Sequence, residues 1–184
     1  MASAFSHALV GFTIGKVFPK AVNTFKILAI GMACAAMPDL DVFMKHLGFE
    51  YGHIMGHRGI THSAIFGFAF GLLMFKLFFW KTSLFSWKGF WIFFFFSCCT
   101  VSHGMIDMLT DGGYGIPLLY PFEEHRYFFP YRPVQVSPMS IARFFSEWGW
   151  LVIKSEAFWL GIPCIAVLAI NYLFKRVIFR SADG

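Results

Sequence analysis

Residues 88–109 read KGFWIFFFFSCCTVSHGMIDML, an apolar and aromatic run that ends on a histidine and an aspartate. A helix needs about 20 such residues to cross a bilayer core. Four further apolar stretches accompany it, over 2–18, 24–37, 60–80 and 157–174. The stretches at 60–80, 88–109 and 157–174 approach spanning length. The first two are shorter and are expected to be tilted, buried or extended by their neighbours. Gly11, Gly15 and Gly31 in them would let helices approach closely.

Composition agrees with this reading. Hydrophobic residues make up 58% of the 184-residue chain, aromatics 21% and charged residues 14%, with mean hydropathy +0.63. Soluble domains carry about 25% charged residues, so these charges are too few to cover a water-facing surface, and lipid must form part of the solvent. The length fits one domain over 1–184. The net charge is +5, but no Lys/Arg run is long enough for a duplex-binding stripe, so nucleic acid is not an expected partner. The first apolar run has no positively charged leader, since its first lysine is Lys16. It is expected to stay as a membrane helix carrying His7. Cys34, Cys98, Cys99 and Cys164 form no CxxC pair and sit in apolar segments, so they read as packing residues.

Lys16, Lys20 and Lys26 lie between the first two stretches, Lys76, Lys81 and Lys88 between the third and fourth, and Lys175, Arg176 and Arg180 after the fifth. Five crossings put these nine basic residues on one side, which the positive-inside rule makes cytoplasmic. The C-terminus then faces the cytoplasm. The other side receives nine of the ten acidic residues and all seven histidines. On that side, Ser137-Pro138 resembles a helix start. Ile141, Phe144, Phe145, Trp148, Leu151 and Val152 follow at helical spacing. An interfacial amphipathic helix fits this pattern, and so does a core-packed one.

Ionisable groups at membrane depth cost about 2.5–3.5 kcal/mol each on insertion scales, yet here they recur at the outer ends of four stretches. His7 lies near the start of the first, Asp39 and Asp41 after the second, His57 and His62 at the start of the third, and His103 and Asp107 at the end of the fourth. HxxxD at His103 and Asp107 puts both side chains on one helix face. His57 and His62 would stand about 140° apart on one helix, so Gly59 is expected to leave His57 in a loop that turns back. In Pro38-Asp39-Leu40-Asp41, an extended backbone would point both carboxylates one way. Separately these motifs read as a helix-stabilising pair or a hydrated cap. Together they make a nitrogen/oxygen ligand set suited to zinc, and also to manganese or iron. The set exceeds one tetrahedral ion's needs, which leaves room for a second metal, supporting partners or acid/base groups. Arg58 could hold a substrate phosphate or carboxylate, or anchor at lipid headgroups. His46 and His53 read as solvated, and His125 with Glu123 and Glu124 as a solvated triplet or a second metal site.

The ordered set of His7 with Gly11, Pro38-Asp39-Leu40-Asp41, His57-Arg58-Gly59-Ile60-Thr61-His62-Ser63 and His103-Gly104-Met105-Ile106-Asp107 resembles the YdjM-like family of bacterial membrane-bound metal-dependent hydrolases. Thr110, Asp111, Gly112 and Pro121-Phe122 also suit it. More remotely, the set is similar to the all-α zinc-dependent phospholipase C and single-strand nuclease group. That resemblance implies His7, Asp39 or Asp41, His57 or His62, His103 and Asp107 as metal ligands.

The expectation is therefore an all-α polytopic membrane protein with about five membrane helices and an interfacial helix. It would sit in the inner membrane with its metal site facing the periplasm. It would cleave an ester or phosphoester, a lipid or lipid-linked substrate arriving laterally, with Asp39 or Asp41 as base and Arg58 positioning an anionic group. A metal-dependent amidase or protease is a second enzyme reading, and the absence of HExxH disfavours a zincin. The non-enzymatic rival is a metal-binding transporter or sensor, whose ligands belong near mid-membrane in repeated halves.

Overall fold

The structure is a computed structural model that describes residues 1–182, without the side chains of residues 141 and 178–182; the side chain of Arg180 and all of Asp183 lie outside the described residues. It is all-helical: two isolated bridges, Thr110 with Val134 and Ile116 with Tyr127, are the only β pairing among the described residues. Four helices carry the bundle: α1 (Ala4–Val17), α2 (Phe25–Ala36), α3 (Ala64–Phe79) and α4 (Trp87–Asp107). Each begins on a hydroxyl cap. Ser3, Thr24, Ser63 and Ser86 accept from the backbone N–H of Ser6, Ile27, Phe66 and Gly89.

Their shared core is aromatic and aliphatic, with Phe75, Ile92, Phe95 and Phe96 fully buried. Gly31 lies directly against the Phe95 ring, so any side chain there would collide with α4. Close approach through small residues is how helices pack where lipid offers no hydrophobic drive. Hydrogen bonds join the lysine-bearing ends. Lys26 Nζ donates to Phe78 O at 3.4 Å, and Asn171 and Lys175 both donate to Lys16 O, at 2.8 and 3.0 Å.

Among the described residues, three helices are long and apolar enough to cross a membrane: Phe25–Leu47, Trp87–Asp107 and Glu147–Val177. Two of them depart from the sequence reading. The second stretch does not stop at Pro38. It continues past α2 as a 3-10 helix, Met37–Leu47, with Pro38 in its first turn, where a missing N–H costs no helix bond. Asp39 and Asp41 are therefore not on one side as an extended strand would place them. Two residues at three per turn are about 120° apart. The expected interfacial helix after Ser137-Pro138 is reduced to one turn, α5 (Ile141–Phe144). The helix α6 (Glu147–Glu156) instead runs on through a π-turn (Ala157–Gly161) into α7 (Ile162–Ala182). No breaker separates them. Pro163 lacks the N–H that would close the preceding turn, and the helix widens there, with Ile162 N–H bonding Ala157 O.

Candidate metal centre

The structure brings His7, Asp39, Asp41, His57, Arg58, His62, His103 and Asp107 together, all of them buried. Five segments deliver them. His7 comes from the first full turn of α1, Asp39 and Asp41 from the 3-10 extension of α2, and His103 and Asp107 from the last turn of α4. His57 and Arg58 come from the loop before α3, and His62 closes a short 3-10 turn, Ile60–His62, just ahead of it. Gly104 admits that turn: a Cβ on it would lie 2.6 Å from His62 O.

Among the described residues, two groups could hold a metal ion, and His62 belongs to both. The first comprises Asp39, His62, His103 and Asp107. His103 Nδ1 donates to the backbone carbonyl of Ala35 at 2.8 Å, and His62 Nδ1 faces Asp41 Oδ2 at 3.2 Å and the Thr61 hydroxyl at 3.0 Å. A carbonyl and a carboxylate only accept, so both Nδ1 atoms carry a proton, and the two Nε2 atoms are left to share either one proton or a metal ion. Those Nε2 atoms lie 3.1 Å apart, facing each other. Asp39 Oδ1 stands 3.3 Å from His103 Nε2 and 3.8 Å from His62 Nε2, and Asp107 Oδ2 is 3.7 Å from His62 Nε2. Zinc bonds of about 2.0–2.2 Å in a tetrahedron put neighbouring ligand atoms about 3.4 Å apart. These four separations lie close to that spacing, and all four ligand atoms fall within 4.8 Å of one another. His7 stacks on His103 at 3.7 Å between centroids, with its Nε2 3.5 Å from Asp107 Oδ1.

The second group comprises Asp41, His57 and His62. Here His57 Nδ1 is only 2.6 Å from Asp41 Oδ1, the length of a charge-assisted hydrogen bond. Asp41 Oδ2 also accepts from the Thr61 hydroxyl. Buried polar atoms without a hydrogen-bond partner concentrate around both groups: both His7 nitrogens, both Asp39 oxygens, His57 Nε2, Arg58 Nε and Asp107 Oδ2. Such atoms are rare in folded proteins and mark a missing partner or a working group.

Arg58 differs most from its sequence reading. It neither faces lipid headgroups nor stands free for a substrate anion. At φ 61° it sits in the left-handed region, which turns the guanidinium inward. Its Nη1 donates to Gly112 O and Tyr114 O, both at 2.8 Å, its Nη2 donates to Thr110 Oγ1 at 2.7 Å, and its Nε lies 3.2 Å from Asp107 Oδ2. Ala2 N–H donates to the other oxygen of Asp107 at 2.8 Å. Arg58 thus ties the 110–114 loop to the cluster and fixes Asp107.

Other supports were not legible. Arg126, half-buried, donates to the carbonyls of Arg58, Gly115 and Gly52 at 2.7, 3.2 and 3.2 Å, and burial, with Arg58 acting in the same sense, lowers its pKa. Glu156, buried at the base of the last long helix, accepts from Ser3 and from the Ser6 hydroxyl, the latter at 2.7 Å. Neither belongs to a motif, so only long-range contacts reveal them. His46, His53 and His125 are exposed and fall outside both groups, and Glu123 accepts from the Tyr127 hydroxyl instead of joining His125. The four cysteines are free and outside the groups, as packing residues should be.

A family model described as "YdjM inner membrane protein" matches residues 1–179. The chain belongs to the YdjM family. Among relatives, it is 30% identical over 179 residues to Inner membrane protein YbcI of Escherichia coli, covering 96% of this chain and all of that one. No solved structure matches. YdjM membership makes this an inner membrane protein, and its buried Asp/His cluster is one that could hold a metal ion.

Proposed function

We propose that the chain, acting as one domain over 1–184, is a membrane-bound metal-dependent hydrolase. Asp39, His62, His103 and Asp107 hold zinc, with His7 completing the shell on the α1 side. The observation that carries this reading is the pair of Nε2 atoms held 3.1 Å apart between two carboxylates. Burial removes the water that would otherwise pair with these groups, and the unpartnered Asp39 and Asp107 oxygens beside the nitrogens favour a divalent ion over a single shared proton. A bound divalent ion lowers the pKa of water and polarises an ester or phosphoester oxygen. Manganese or iron would suit the same donors.

Around that ion the chain's own residues position and exclude. Asp41 and the Ala35 carbonyl fix the two imidazoles, and Arg58 and Ala2 fix Asp107. The substrate is a lipid or lipid-linked ester or phosphoester. A buried site at one end of a lipid-facing bundle is reached most directly from the bilayer. Five crossings, α1, α2 with its extension, α3, α4 and α6–α7, put the lysine ends and the C-terminus in the cytoplasm and the site at the periplasmic face.

The test combines two measurements. Elemental analysis after chelator-free purification should find at least one zinc per chain, and His103→Gln should lose it. Vesicles of phosphatidylethanolamine, phosphatidylglycerol and cardiolipin should release metal-dependent hydrolysis products, read by mass spectrometry. A wild-type protein with no transition metal ends this reading.

A further inference from the structure

Beside the second group lies a cavity of about 310 Å³ lined by Val42, Lys45, Phe49, Tyr51, His57 and Met139. His57 is 4% exposed, yet its Nε2 is buried without a partner in the protein. Its Nδ1 is committed to Asp41, whose carboxylate can only accept. Nδ1 therefore keeps the proton and Nε2 offers a lone pair. A ring on the wall of a cavity, with its second nitrogen unpartnered, is what a general base requires once water reaches that nitrogen. The 2.6 Å separation from Asp41 also leaves no space for an ion between them, since two ligand atoms on one zinc stand about 3.4 Å apart. Met139 lines a second cavity as well, of about 350 Å³, with Phe5, Phe144 and Phe145. A chamber with Lys45, Glu50, Tyr51 and His57 on its walls and a more apolar one, meeting at a single side chain, suit the two parts of an amphiphile.

We propose that His57 is a catalytic residue and not a metal ligand: held by Asp41, its Nε2 takes a proton from the water that attacks an amphiphilic ester seated in this cavity. The inference rests on the hydrolase reading above. The water's oxygen bonds to the substrate's carbonyl carbon or phosphorus, and its proton passes to Nε2. When the bond to the leaving oxygen breaks, that oxygen receives the same proton, so one water is added and His57 returns to its starting form. Asp41 acts through His57 and His62 and is a positioning residue for both.

The experiment is diethyl pyrocarbonate labelling of the full chain in detergent micelles, mapped by mass spectrometry, with and without bound zinc. In the zinc-loaded protein His57 should be modified while His62 and His103 are protected, and removing zinc should expose the latter two. Met139→Trp should protect His57 and leave exposed His46 unchanged. Protection of His57 by zinc would make it a ligand and overturn the proposal, as would protection in both states, which would seal it from the cavity. His62 and His103 labelled equally with and without zinc would instead break the metal reading itself. Against the phospholipid cleaved in the vesicle screen, His57→Gln should keep its zinc and lose turnover by about 10²–10⁴-fold. Full turnover in that variant would also overturn the proposal.

Discussion

The two ends of the helical bundle treat charge in opposite ways. At one end eight ionisable side chains, from His7 to Asp107, are buried among themselves. At the other, Lys26, Lys76, Lys81 and Lys88 stay exposed. Lys26 lies 5.0 Å from the Phe79 ring centroid and Lys81 5.1 Å from that of Trp80. Lysines at a membrane boundary can reach water with the tip while the stem covers apolar surface. The histidines and aspartates have no such exit. A buried charge is retained only where something compensates it, and the cluster compensates with opposed carboxylates, imidazoles and one arginine. One end therefore keeps its charges exposed, and the other buries them against one another.

The sharpest way to break this comparison is sidedness. Single cysteines at Ser83 and Ser140, both exposed, in a background lacking the four native cysteines, should label oppositely. Ser83→Cys should react only after permeabilisation and Ser140→Cys in intact spheroplasts. The reverse pattern would turn the site towards the cytoplasm.

Next in size is Arg58→Met. Removing one partner of a buried ion pair costs about 3–5 kcal/mol, so thermal unfolding in detergent should show a large loss of stability. A change no greater than that of a surface variant would mean that Arg58 does not hold the loop and Asp107 together. Asp41→Asn is expected to act more gently, through orientation. Removing the carboxylate behind a metal-binding histidine lowers affinity by about 10–100-fold, measurable by zinc titration against a chelating dye. Undiminished affinity would detach Asp41 from His62. The smallest effect belongs to the opposite end. Lys16→Gln should change stability by about 0–1 kcal/mol, as exposed charge contacts do, and leave metal content untouched.

Much of the site was legible because membrane depth makes polar residues conspicuous. His7, Asp39, Asp41, His57, His62, His103 and Asp107 stand out against apolar runs, and the packed helices bring their segment ends together. The partition within the cluster was not legible. Asp39 and Asp41 separate into different groups because Pro38 opens a 3-10 turn where an extended stretch was expected, and sequence pattern alone does not distinguish the two. The last helix shows the same limit. The stretch 141–152 has helical spacing under either reading, and only its continuity through the π-turn before Pro163 joins it to the final span.

The sequence by itself determined that the chain is helical and lies in a membrane, since composition and run length leave backbone groups no other way to be satisfied in lipid. It also marked out which ionisable residues stand at the ends of apolar runs, because run boundaries and lysine placement are properties of the chain. Tertiary structure alone decided the direction of each nitrogen and oxygen. The Ala35 carbonyl turns His103, Asp41 turns His57 and His62, and a left-handed turn withdraws Arg58 from the surface to hold Asp107. Those orientations depend on contacts between residues tens of positions apart, formed only when the helices pack, and no local spacing encodes them.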